Sequence, residues 1–218
     1  LRDYELAIKL SNNSRPGKDG VPYAVWRRLS FAPFLLWAAG TELQLDDWLP
    51  RLQAAYGDSF NWSLLCLLPK KVTGEDPTAG SFYHPKDTRP LNIVNTDNRL
   101  IASAHRIALE RVFTSWIHES QRGFIKGRSM LRNVLRFDTL AMTISLLHPQ
   151  GAIILFDFTA AFPSMLHPFM FTVFEHLEVP SPVLNVLHAL YYHNACDLLW
   201  GGELFPGFVS TRGVRQGC

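Results

Sequence analysis

Three features of the sequence point to an α+β fold. Helix-period apolar patterns and short apolar runs of strand length are both present, without the strict βαβ alternation of a doubly wound sheet. Near the end, DLLWGGELFPGFVSTRGV reads as a hairpin turning at Gly201 and Gly202. The 218 residues, 47% of them hydrophobic, are enough for one large domain or two small ones.

The elements are expected in the following order. SNNSRPGKDGVP, from Ser11, is dense in turn formers and reads as a loop feeding a helix near residues 23–29. A second helical stretch covers roughly residues 31–55, interrupted at Leu49 and Pro50. WSLLCLLPKK is a short apolar run ending in Lys70 and Lys71, a buried-strand pattern. VTGEDPTAGSFYHPKD, rich in Gly, Pro and polar residues, reads as a loop, and RPLNIVNT returns to the core. The clearest helix is NTDNRLIASAHRIALERVFTSWI, where Ile101, Ala104, Ala108 and Val112 share a face and Asp97 or Asn98 is the expected N-cap. Another helix is expected from about residue 129 to 148, then the strand AIILFDF, then helices near 168–177 and 182–194.

Bulk properties narrow the function classes. The longest apolar stretch, FAPFLLWAAG from Phe31, falls far short of the ~18 residues of a membrane span, so no membrane partner is expected. LRDYELAIKLS lacks the apolar region of a signal peptide. Cys66, Cys196 and Cys218 are too widely spaced for a zinc framework or disulfide scaffold, which favours a reducing intracellular setting, nucleus or cytoplasm. Net charge is only +2, yet QRGFIKGRSMLRNVLR, from Gln121 to Arg136, holds five basic residues and no acidic one. On a helix, Arg128, Arg132 and Arg136 would form one stripe, either a solvated face or a phosphate-binding surface.

Asp157 is the residue that raises a chemical question. It stands alone at the end of the apolar run AIILFDF. A carboxylate in such a setting needs a salt bridge, a capping role or a metal ion. Mg²⁺ takes hard oxygen ligands, commonly one or two carboxylates plus substrate phosphates.

Four further stretches bear on that choice: RPGKDGVPYAVW (residues 15–26), LLPKK with DTRPLNIVNTDNRLIA (67–102), QRGFIKGRS (121–129) and RGVRQGC (212–218). In this order around the Asp157 strand they resemble the successive blocks of a reverse transcriptase, specifically the LINE-type (non-LTR) retrotransposon group. The resemblance runs from about Arg15 to Cys218. It implies the fingers of a right-hand polymerase over residues 1–150 and the N-terminal part of the palm, with an incomplete sheet, over 151–218. It also implies an RNA template, a DNA primer and dNTPs as partners, with two Mg²⁺ ions bridging the triphosphate and the primer 3′-hydroxyl.

Residue roles follow from the same resemblance. Asp157 matches the first metal-binding aspartate, with the backbone carbonyl of Phe158 as a second ligand. Phe162 matches the ring under the nucleotide sugar, which would clash with a 2′-hydroxyl; ordinary core packing is the alternative. Lys70, or its neighbour Lys71, and Arg89 match the basic fingers residues that reach the triphosphate. Gln216 matches the residue that packs against nucleotide and template, and Gly217 allows close backbone approach. Arg122, Lys126, Arg128 and Arg132 would track the template backbone.

Two departures stand out. The family usually has Asp where this chain has Pro163; Ser164 would then cap the next helix, or Pro163 would sit in its first turn. Proline also biases Phe162 toward extended geometry. The family's later aromatic-x-Asp-Asp hairpin does not occur within the 218 residues, so the chain is expected to be inactive alone, with the missing pair within ~100 residues downstream. Asp46 and Asp47, the one adjacent Asp pair, precede Asp157 and read as a solvated helix face. His188 with His193, and His176, lack metal-site company and read as packing or surface residues. A catalytically dead nucleic-acid-binding remnant, an intron maturase and an RNA-templated RNA polymerase are the alternatives.

Overall fold

The structure, a computed structural model, describes residues 1–148 and 150–214. Helix α1 (Arg2–Leu10) buries Tyr4, Ala7 and Ile8 at 3–4 spacing and carries Asp3 and Glu5 in its first turn, Lys9 in its last, in keeping with the helix dipole. Helix α2 (Tyr23–Arg28) follows the expected loop. The long helical stretch divides into α3 (Ala32–Glu42) and α4 (Trp48–Tyr56). The break therefore falls before Trp48 and not at Pro50. Pro50 is the third residue of α4, in the first turn, where its missing N–H would have had no intrahelical partner.

Strand β1 (Ser63–Pro69) matches the expected buried run. The stretch expected to be a plain loop folds into a hairpin of β2 (Gly74–Asp76) and β3 (Gly80–Phe82), followed by a 3₁₀ turn at Pro85–Asp87. The Asp76 carboxylate accepts hydrogen bonds from the amides of Thr78 (2.8 Å) and Ala79 (2.7 Å), and Gly80 has φ +81°. The turn-forming residues thus make a compact hairpin turn. After β4 (Thr88–Val94) come α5 (Thr96–Trp116), α6 (Leu131–Leu147), the short α7 (Ala161–Ser164), α8 (His167–His176) and α9 (Ser181–Tyr191). Strands β5 (Ala195–Trp200) and β6 (Glu203–Val209) form the closing hairpin, with Gly201 (φ +59°) and Gly202 (φ +89°) at its turn.

The expected strand over residues 152–158 is absent: these residues are exposed and carry no regular structure. Apolar composition alone does not make a strand, because its N–H and C=O groups need a paired neighbour, and none pairs with it among the described residues.

The four-stranded sheet has the order β4-β1-β5-β6, with β1 antiparallel to β4 and parallel to β5. The chain divides into two compact units, Leu1–His105 with Ala160–Cys218, and Arg106–Thr159. The first contains the sheet and a core including Leu36, Leu52, Val94, Leu100, Ile101 and Val186, each at most 2% exposed. Its buried polar groups are cross-linked. The Asn61 amide donates to the carbonyls of Ala189 (2.7 Å) and Tyr192 (2.6 Å) and accepts from Asn98 (3.0 Å). In the second unit α6 buries none of its residues.

Candidate nucleotide and template interface

The β1–β4 ladder places two basic residues at one end of the sheet. Leu68 pairs with Arg89 and Pro69 with Thr88, and the Lys70 amide continues the ladder by donating to the Asp87 carbonyl at 2.9 Å. This bond lies one position past the last registered pair and puts Lys70 at the same end of the sheet as Arg89. Both cations are exposed, and no hydrogen bond or ion pair of either side chain is seen among the described residues. Lys71 differs: its charge, with that of Lys86, faces Asp87. That carboxyl is held below the usual range, first by the Thr73 hydroxyl (2.6 Å) and then by these lysines.

The RPGKDG block packs against the start of α5. Arg99 donates to the Arg15 carbonyl (2.6 Å) and the Ser14 hydroxyl (3.0 Å), and the Trp26 indole donates to Thr96 (2.7 Å). A Cβ on Gly17 would lie 2.3 Å from the Asn95 amide oxygen, so only glycine fits this approach. Lys18 pairs with Asp197 of β5 at 2.6 Å and lies 3.8 Å above the Trp62 ring. Asp97, half-buried, is pushed above the usual carboxylate range by loss of water, with Asp19 adding to the effect. Nothing in the local sequence around Lys18 or Asp197 signals their partnership.

Phe162 lies within α7 and is 47% exposed. Its backbone is helical and not extended as Pro163 would bias it; Ala160, at φ +55°, redirects the chain into this single turn, whose third residue is Pro163. Ser164 ends α7, and the residue that precedes α8 is Leu166, so Ser164 is not the N-cap of that helix. The segment that leads toward Gln216 is tied to this turn. The Val214 amide donates to the Phe162 carbonyl (2.9 Å), and the Gly213 amide to that of Met165 (2.7 Å). His167, 9% exposed, anchors the same segment: its Nε2 lies 2.9 Å from the Gly213 carbonyl, and its ring packs edge-on to Tyr191. Sequence reading passed over His167, since a lone histidine carries no motif. Beside this turn is a cavity of about 240 Å³ lined by Asn92, Pro163, Cys196, Phe208, Arg212 and Val214. Gln216 and Gly217 lie outside the described residues.

Asp157 and Phe158 sit in the unpaired, exposed segment, Phe158 at 81% exposure. Asp157 caps no helix, since the residue before α7 is Ala160, and it makes no ion pair among the described residues. Among those residues no three His, Cys, Asp or Glu side chains converge on a metal position.

The basic block divides by role. Arg128 precedes α6 and does not extend a stripe along it. Its guanidinium donates to four carbonyls, those of Thr114 (2.9 Å), Ile117 (2.7 Å), His118 (2.6 Å) and Gln121 (2.8 Å). It therefore caps the C-terminal end of α5 and is not available as a template contact. Arg136 lies 3.4 Å from Glu119. Lys126 and Arg132 are exposed, and the Arg122 Nε is buried without a hydrogen-bond partner among the described residues.

The remaining candidates are structural. Asp47 pairs with Arg51 at 2.8 Å ahead of α4, and Asp46 accepts from Asn185 at 3.2 Å. His188 stacks on Phe171 with ring centres 3.9 Å apart, and burial pulls it below the usual histidine range.

Residues 68–218 match the family described as reverse transcriptase (RNA-dependent DNA polymerase). Over 156 residues, 72% of its length, the chain is 26% identical to the "Transposon TX1 uncharacterized 149 kDa protein" of Xenopus laevis. The chain spans 11% of that relative's length. No helix among the described residues is long and apolar enough to cross a membrane.

Proposed function

We propose, because the chain belongs to the reverse transcriptase (RNA-dependent DNA polymerase) family, that its sheet end receives the triphosphate of a dNTP during RNA-templated extension of a DNA primer. The transposon relative accords with the LINE-type character of the sequence blocks. The observation that carries the proposal is that Lys70 and Arg89, both exposed, lie at the same end of the β1–β4 ladder. Arg89 offers a fork that fits two phosphate oxygens, Lys70 a mobile point charge, and together they offset charge developing on the phosphoryl group.

Phe162, held in α7 by the Val214 amide, is the candidate to lie under the sugar and exclude a 2′-hydroxyl. Gln216 and Gly217, which follow the anchored Gly213 and Val214 after Arg215 in sequence, are assigned to the same nucleotide by their motif. Lys126, Arg132 and Arg122 are assigned to template phosphates, while Arg128 shapes the loop that carries Arg122 and Lys126.

Asp157 and the Phe158 carbonyl oxygen are the groups that would hold Mg²⁺, which would supply charge neutralisation at the transferring phosphate. Among the described residues no further His, Cys, Asp or Glu pair joins Asp157 to complete a metal site.

Binding of a dNTP to the 218-residue chain tests the proposal by calorimetry. Lys70→Gln with Arg89→Gln is expected to weaken binding at least tenfold, and unchanged binding would reject the assignment. In a protein extended beyond Cys218, Asp157→Ala is expected to abolish Mg²⁺-dependent primer extension on RNA; extension at the wild-type rate would remove Asp157 from the site.

A further inference from the structure

Phe124 stands at the tip of the loop between α5 and α6, 98% exposed and with φ +61°. Both properties work against folding. A fully exposed phenyl ring gains nothing from burial, and a Cβ in left-handed geometry is crowded where glycine would be relaxed. Phenylalanine here has no stabilising role that glycine or asparagine would not fill better, and such a cost is characteristic of positions kept for contact with something else.

The loop is also held still. The four Arg128 hydrogen bonds clamp its two ends to the end of α5, and the Asn133 amide donates to the Ser120 carbonyl at 3.2 Å. The ring is thus presented on a braced support. Two residues to either side are Arg122 and Lys126, with Arg132 beyond, and no acidic residue occurs between Glu119 and Asp138. Phe124 is more exposed than the apolar residues that follow it, Met130 and Leu131 at 57% and 62%, and an exposed ring flanked in sequence by cations is the combination on which unpaired bases stack while the phosphates meet the charges.

We infer that Phe124 is a stacking platform for one unpaired base of the template strand. The inference rests on the template-binding reading above and adds to it a contact with a base, which the cationic residues alone would not make.

The test uses the 218-residue chain and a fluorescein-labelled single-stranded 12-nucleotide RNA, with an abasic phosphodiester of equal length as a second arm. Binding is followed by anisotropy across a range of salt concentrations. Phe124→Ala and Phe124→Leu are expected to weaken RNA binding by about 5- to 100-fold with the same salt dependence, and Phe124→Trp to retain it. The abasic strand is expected to bind all four proteins alike. Lys126→Gln is expected to lower the salt dependence instead. RNA binding by Phe124→Ala within twofold of wild type overturns the platform and leaves template binding intact, as does wild-type-like binding by Phe124→Leu. A wild-type chain that binds neither strand overturns the template reading and the platform with it. Phe124→Gly, which relieves the backbone, is expected to melt no lower than wild type, so a loss of affinity does not reflect a loss of fold.

Discussion

Replacing Arg128 by alanine separates a structural arginine from a nucleic-acid ligand. The wild-type guanidinium serves four carbonyls at and beyond the end of α5, two of them, on Thr114 and Ile117, part-buried. A part-buried bond of this kind contributes about 1 kcal/mol net, and a solvent-exposed one about half as much. A cation at a helix C-terminus adds about 0.5 kcal/mol. The total is near 3.5 kcal/mol, which corresponds to a roughly 400-fold larger opening equilibrium constant for the clamped segment. Hydrogen–deuterium exchange of peptides covering residues 110–130 reads that opening directly. Arg128→Ala should accelerate exchange by about 100- to 500-fold, and Arg128→Lys should recover less than half of the effect on a logarithmic scale, since an ammonium cannot span four acceptors. Arg132→Ala, on the exposed side of α6, should change it less than threefold. Exchange in Arg128→Ala within threefold of wild type would show that the clamp carries no weight.

Lys18 and Asp197 should behave as a coupled pair. Because Lys18 is 38% exposed and Asp197 only 13%, Lys18→Met should cost about 2 kcal/mol by urea denaturation, chiefly by stranding the carboxylate, and Asp197→Leu a similar amount. The double variant should lie within about 1 kcal/mol of wild type; additive losses would deny the coupling. Asp97 makes a pH-dependent contribution of the opposite sense. Its folded pKa is raised, so the native state holds its proton more tightly than the unfolded chain, and stability falls as pH rises from about 4 through the folded value. Asp97→Asn should therefore raise the melting temperature at pH 7 by a few degrees and lose that advantage near pH 3; a lower melting temperature at pH 7 would contradict the burial argument. His105 is depressed by burial, so its contribution is present above about pH 6.5 and declines as pH falls toward its folded value; His105→Gln should flatten that acid limb in a melting series. Asn61→Ala should cost about 2–4 kcal/mol in urea, because it removes the donor to the Ala189 and Tyr192 carbonyls and one acceptor of the Asn98 amide, which keeps its bond to the Phe60 carbonyl; a loss below 1 kcal/mol would mean that water replaces the lost bonds.

Where information is local, reading the chain in order was enough. The 3–4 spacing of Ile101, Ala104 and Ala108 specifies α5, and Gly201 with Gly202 specifies the β5–β6 turn, because each pattern involves neighbours a few residues apart. Family blocks around Lys70 and Arg89 were legible for the same reason, and the β1–β4 pairing brings those two blocks to one end of the sheet. Other features depend on partners distant in the chain. A four-residue spacing made Arg128 look like part of a helical stripe, yet its guanidinium turns back to carbonyls of the preceding helix. Lys18 and Asp197 carry no mark of each other until β5 is laid beside β1. The run ending at Asp157 has strand-like composition, but without a pairing neighbour its backbone stays irregular. Periodicity encodes which face a residue occupies, whereas hydrogen-bond and charge partners are chosen by folding, which alone brings separate segments within bonding distance.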